Sequence, residues 1–122
     1  MIPLKIKLSD RTYVCSTDDK YSPLGSWLET DLGPSGGGGV AEDLFEDIGH
    51  FRAGRRGDVE VWGDLARVRI GKDGVVIQLM IPPRPGKPCK LSLEELVDAV
   101  LRWFDVVNPA LAADLRKIQS TW

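Results

Sequence analysis

Apolar and charged residues alternate from the start of the chain: Ile2, Leu4, Ile6 and Leu8 fall on one side, with Lys5 and Lys7 opposite. That period of two predicts a half-buried strand. Asp10-Arg11 turns the chain, and Thr12 to Cys15 is placed to pair back as a short second strand. Residues 16–39 then carry Ser, Asp, Pro and Gly clusters around one apolar island, Leu24-Gly25-Ser26-Trp27-Leu28, which fits a short helix or a packed loop. Gly33-Pro34-Ser35-Gly36-Gly37-Gly38-Gly39 reads as a flexible surface linker inside the domain.

After the glycines the period changes. Val40, Leu44, Phe45, Ile48 and Phe51 recur at helical spacing, which predicts a helix over about residues 40–51, weakened by Gly49 and ended before Gly54. Its other face carries Glu42, Asp43, Glu46 and Asp47, two like-charged pairs four residues apart. Each such pair costs a few tenths of a kcal/mol, partly offset near the N-terminal end by the helix dipole.

Three strands are expected next: Asp58–Trp62, with Val59 and Val61 on one side; Leu65–Ile70, with Ala66, Val68 and Ile70 opposite Leu65, Arg67 and Arg69; and Val75–Ile81. Gly71-Lys72-Asp73-Gly74 predicts a hairpin turn between the second and third. Val75–Ile81 is almost continuously apolar and reads as a central strand covered on both faces or nearly so, and Pro82-Pro83-Arg84-Pro85-Gly86 breaks the sheet after it. Ser92 and Glu95 then form a capping box, with Leu91 and Leu96 as its hydrophobic staple. Leu93, Leu96, Val97, Val100, Leu101, Phe104 and Val107 give that helix one wide apolar stripe. Asn108-Pro109 stops it and starts a last helix over 110–119. The order predicts an α+β domain spanning residues 1–122: a mostly antiparallel sheet of about four to five strands, with helices packed on one face.

Composition adds little to the fold and something to function. A chain of 122 residues with 43% hydrophobic and 28% charged content is ordinary for one globular domain. No apolar run approaches the length of a membrane span and the N-terminus has no apolar signal core, so the expected location is the cytoplasm, with no membrane partner. Cys15 and Cys89, far apart and without metal-ligand spacing, read as reduced thiols. The net charge of −2 hides an asymmetry: residues 1–50 hold four Lys/Arg against nine Asp/Glu, and 51–122 hold twelve against nine. Between Lys20 and Arg52 there is no basic residue, while Glu29, Asp31, Glu42, Asp43, Glu46 and Asp47 all fall there. Charge distributed so unevenly shapes association more than fold.

Candidate chemistry is sparse. His50 is the sole histidine and stands at a predicted helix end, where a capping or surface role is the ordinary one. No second His or clustered Cys supports a transition-metal site, and no nucleophile has a base signalled beside it. The glycine run fails as a phosphate cradle, because Val40-Ala41-Glu42-Asp43 follows it in place of Gly-Lys-Ser/Thr. Arg56-Gly57-Asp58 reads as a turn entering a strand, and the basic cluster Arg52, Arg55, Arg56 is narrow for nucleic acid in an acidic chain. The carboxylates at 42/46 and 43/47 admit a Mg²⁺ or acid–base site, a solvated helix face, or an acidic patch that meets a basic protein.

Leu24-Gly25-Ser26-Trp27-Leu28-Glu29-Thr30-Asp31-Leu32, Leu44-Phe45-Glu46-Asp47-Ile48, Gly54, Val61-Trp62-Gly63-Asp64-Leu65-Ala66-Arg67-Val68-Arg69-Ile70 and Asp73-Gly74-Val75-Val76-Ile77 follow one another in an order that resembles immunity proteins of bacterial contact-dependent inhibition and related polymorphic toxin systems. Leu91–Leu96 with Leu101-Arg102-Trp103-Phe104 is similar to their final helix, so the likeness spans about residues 24–104. The resemblance implies a cytoplasmic inhibitor, monomeric when free, without cofactor, metal or catalysis of its own, that binds one cognate toxin domain, often a nuclease. Nuclease domains are basic where they grip phosphate, and an acidic inhibitor surface suits them. Charge therefore selects helix 40–51 (Glu42, Asp43, Glu46, Asp47) with Glu29 and Asp31 as the partner-binding surface, and Asp58, Glu60 and Trp62 after them. The alternative is a self-associating regulatory or assembly module pairing through strand 75–81.

Overall fold

The computed structural model describes residues 1–80 and 87–122. It is an α+β fold in which two sheets are antiparallel and separate. The first is a hairpin of β1 (Lys5–Ser9) and β2 (Thr12–Ser16), closed by Asp10 and Arg11, both at positive φ. The second has β3 (Val59–Trp62), β4 (Ala66–Gly71), β5 (Gly74–Leu79) and β6 (Cys89–Leu91) in sequential order. The helices are α1 (Ser22–Trp27), which runs on through a π turn over Leu28–Leu32, then α2 (Val40–Arg52), α3 (Leu93–Val107) and α4 (Pro109–Gln119).

Alternation decides what each strand buries. Val59, Ala66, Val68, Ile70, Val75, Ile77, Cys89 and Leu91 are buried on the inner face, where α1, α2 and α3 contact the sheet. The apolar island is the centre of this core: Leu24, Trp27 and Leu28 are wholly buried, beside Phe45, Ile48, Val100, Trp103 and Phe104. Burying a side chain of that size contributes about 2–3 kcal/mol before entropy is counted.

Helix ends follow their sequence signals. Ser92 Oγ accepts the Glu95 N–H at 3.0 Å and Glu95 Oε1 accepts the Ser92 N–H at 2.8 Å, completing the capping box. Asn108 Oδ1 accepts the Leu111 N–H at 3.2 Å, with Pro109 at the first position of α4. Caps of this kind contribute about 1 kcal/mol each. Arg116 then grips Asp105 with two hydrogen bonds, 2.6 and 2.8 Å, which ties α4 to α3 and holds the Asp105 carboxyl below its ordinary range.

Three expectations need correction. The glycine run was expected to be a flexible linker, but it is anchored: the buried Trp103 Nε1 donates to Gly33 O at 3.1 Å, and Asn108 Nδ2 donates to Pro34 O at 2.9 Å. Gly33 and Gly36 to Gly39 all have positive φ, and a Cβ on Gly36 would lie 2.6 Å from a Leu111 methyl. Glycine is required here for left-handed backbone and close approach, two constraints that composition alone reads as flexibility. The strand expected at 75–81 is β5, with Val75 and Ile77 buried but Val76 only half-buried, so the sheet is covered on one face. It also lies between β4 and β6, so it offers no free edge for self-pairing. Ile81 and the break at Pro82–Gly86 lie outside the described residues.

Candidate functional site

The acidic residues singled out from sequence divide into three groups. Glu29 and Asp31, in the π turn after α1, are half-buried and bonded to main chain. Glu29 Oε1 accepts the Cys15 N–H and closes the outer edge of β2. Asp31 accepts the N–H groups of Leu65 at 2.9 Å and Ala66 at 2.8 Å, and its carboxylate sits on Gly63, where any Cβ would come within 2.2 Å of Oδ2. Both carboxylates accept main-chain N–H groups from other elements, a bonding role that charge alone did not signal.

The second group is on α2. Its apolar stripe (Ala41, Leu44, Phe45, Ile48) is buried, which turns Asp43 and Glu46 to solvent. Neither makes an ion pair among the described residues. Asp47 pairs with Arg56 at 3.1 Å, and Glu42 is half-buried with Oε1 enclosed and unpartnered among the described residues. Helix position is fixed from behind by Trp122: its ring lies 5.5 Å from Phe45, its Nε1 donates to Phe45 O at 3.1 Å, and it fills the space that Gly49 leaves. Trp122 was not anticipated; the only trace in sequence is a glycine on the inner side of an amphipathic helix.

Asp58, Glu60 and Trp62 form the third group, on the outer face of β3, where Trp62 is 62% exposed. The β3–β4 register sets Trp62 opposite Arg67 and Glu60 opposite Arg69. Arg67 lies over the Trp62 ring at 4.9 Å and reaches diagonally to Glu60 at 2.6 Å; Arg69 reaches diagonally to Asp58 at 3.2 Å. Diagonal neighbours are within reach of long side chains, so alternation on two strands plus a hairpin register was the signal that locates these arginines. The result is an open, alternately charged sheet face with its tryptophan held in place.

The remaining candidates have structural surroundings. His50 Nδ1 accepts the Arg55 Nε–H at 2.9 Å at the exposed end of α2, and Arg52 lies 5.5 Å from the Trp122 ring. Arg56 also donates to Asp58 O at 3.4 Å, which makes Arg56-Gly57-Asp58 a locally bonded entry to β3. Cys15 and Cys89 are buried free thiols, and burial with Glu29 close by pushes Cys15 up to about 11. Among the described residues no group of three or more His, Cys, Asp and Glu is placed to hold a metal ion, and no helix is long and apolar enough to cross a membrane. Comparison of the chain with family models, with curated proteins and with solved structures gives no match.

Proposed function

We propose that this chain is an immunity protein, a small cytoplasmic inhibitor that binds one cognate bacterial toxin domain and neutralises it by surface contact. The observation that carries the reading is the outer face of α2, where Asp43 and Glu46 stand exposed without a cation partner among the described residues. Like charges one turn apart repel one another and cost helix stability. A basic partner turns that repulsion into attraction and speeds encounter. Toxin domains that cleave nucleic acid present such basic surfaces, and an inhibitor seated there excludes the substrate. Support also comes from the order of segments over residues 24–104 that resembles polymorphic-toxin immunity proteins. On this reading the protein is monomeric when free and needs no cofactor or metal.

The test is affinity capture from the native organism, followed by an activity assay on the captured domain with stoichiometric amounts of this chain. Capture of a toxin domain that the chain inhibits is the expected result. Replacing Asp43→Lys and Glu46→Lys together should slow association roughly tenfold at low salt and flatten its salt dependence, with the thermal midpoint unchanged. Association kinetics equal to the unaltered protein would remove α2 from the interface, and absence of any inhibited partner would end the immunity reading.

A further inference from the structure

The four-stranded sheet ends at β3, and the direction of its peptide groups can be read from the ladder. Gly63 donates to Ala66 O at 2.9 Å, so this is a hydrogen-bonded pair. Antiparallel pairs alternate, so Trp62–Arg67 and Glu60–Arg69 are non-bonded pairs, and the N–H and C=O of Glu60 and Trp62 point away from the sheet. The Met80 to Leu65 bond on the far side of β4 gives the same phase, with Arg67 and Arg69 bonded to β5. Among the described residues nothing takes up the main-chain groups of Glu60 and Trp62.

Other edges are closed or guarded. β2 is capped by Glu29, and β6 lies against the 3-10 turn Asp19–Tyr21. β1 is flanked by Lys5 and Lys7, the charge with which edge strands discourage pairing. The β3 edge instead carries acids: Asp58, Glu60 and Asp64 alternate around the exposed Trp62. This rules against a second copy as the occupant. Antiparallel pairing of β3 with itself, centred on Glu60, Val61 or Trp62, sets Glu60 on Glu60, Asp58 on Asp64, or Glu60 on Asp64 respectively. Every register places acid against acid, and like charges directly opposite are unfavourable.

We propose that the open edge of β3 takes up an extended segment of a protein partner, with basic side chains at alternate positions, as an added strand. The proposal rests on the reading that the partner is a protein with a basic surface. Main-chain bonds to Glu60 and Trp62 supply the pairing, and alternate side chains supply the selection. Basic residues on the outer face meet Asp64, which has no ion pair among the described residues, and share the Glu60 and Asp58 carboxylates with Arg67 and Arg69. The apolar residues between them turn to the opposite face, on the side of the half-buried Val61, and the basic side chain opposite Trp62 lies against its exposed ring.

Three acetylated octapeptides test this against the full chain by amide NMR and hydrogen exchange: alternating Lys and Val, alternating Glu and Val, and the lysine peptide N-methylated on the residues that would face β3. The lysine peptide should protect the Glu60 and Trp62 amides at least tenfold. The glutamate peptide should not bind, and N-methylation should weaken binding about thirtyfold by removing two donors. Asp64→Lys, at an exposed position with no ion pair among the described residues, should lower affinity about fivefold at an unchanged thermal midpoint. Shifts confined to Asp43 and Glu46, or equal binding of the N-methylated peptide, overturn the edge proposal while leaving the immunity reading intact. No shift anywhere at millimolar lysine peptide also overturns it, and the capture and inhibition assay then judges the immunity reading separately.

Discussion

Asp31→Ala is the sharpest test of how the acidic segment is used. The Asp31 carboxylate accepts two main-chain N–H groups, Leu65 at 2.9 Å and Ala66 at 2.8 Å, across the turn that joins β3 to β4. Hydrogen bonds to a charged group contribute about 1.5–3 kcal/mol each. Asp31 is half-buried, so water recovers part of the loss, and the lower figure applies to each bond. The expected destabilisation is therefore about 3 kcal/mol. Asp31→Asn keeps the shape but turns an amide N–H₂ toward one of the two donors, for a loss of about 2 kcal/mol. Urea unfolding reads both values: with a slope of about 2 kcal/mol/M, the alanine midpoint falls by roughly 1.5 M at unchanged slope. Asp43→Ala, on the open face of α2, serves as the control and should shift stability by less than about 0.5 kcal/mol. A loss below about 1 kcal/mol for Asp31→Ala would mean that the β3–β4 turn stands without the carboxylate, and Asp31 would return to the candidates for partner contact.

Gly37→Ala should cost about 2–3 kcal/mol, because its Cβ would lie 2.9 Å from the Asp31 carbonyl oxygen and 3.1 Å from the Val40 Cβ at φ +71, whereas Gly38→Ala, at φ +67 in open space, should cost only the roughly 1 kcal/mol of left-handed backbone. Equal losses in chemical denaturation would refute the packed-loop account of the glycine run. The Cys15 thiol titrates at about 11 in the fold against 9.0 for a free thiol, so between these values the unfolded chain gives up the proton first. Its contribution is fully present below pH 9.0 and is lost as pH rises through about 11, so Cys15→Ala should show a shallower fall of stability across that window. An identical slope in the variant would show that burial does not control this thiol.

Elements with one dominant physical cause were legible in the sequence. The capping box at Ser92 and Glu95, the Asn108-Pro109 break and the Gly71–Gly74 turn each depend on neighbours within a few residues, and the structure has all three. What sequence left open depends on distant partners. β6 is three residues long and pairs only with Val75–Ile77, too short to announce itself by alternation. The glycine run reads as flexible until Trp103, Asn108 and Leu111 are brought to it. Likewise the segment without Lys or Arg was visible as one acidic block, but its members have different work. Glu29 and Asp31 face peptide N–H groups on β2 and at the start of β4, while Asp43 and Glu46 face water.

That division bears on why an acidic helix persists at all. On α2, Asp43 repels Asp47 and Glu46 repels Glu42 across one turn, each at a few tenths of a kcal/mol. Glu46→Lys would replace the second repulsion by an attraction in the better orientation, acid before base. Asp43→Lys would also replace a repulsion by an attraction, with Asp47, but in the weaker base-before-acid order, and it would set a cation in the first turn, against the helix dipole. The two reversals should therefore nearly cancel, leaving stability within about 0.5 kcal/mol of the unaltered protein. Fold stability gives Glu46 no reason to be an acid, and gives Asp43 only the helix dipole, which its repulsion by Asp47 opposes. If the double variant unfolds at nearly the same temperature and associates more slowly, the charge serves the encounter and not the fold. If it is destabilised by more than about 1 kcal/mol, the carboxylates have a folding role that their exposed positions do not reveal, and the electrostatic argument for α2 loses its basis.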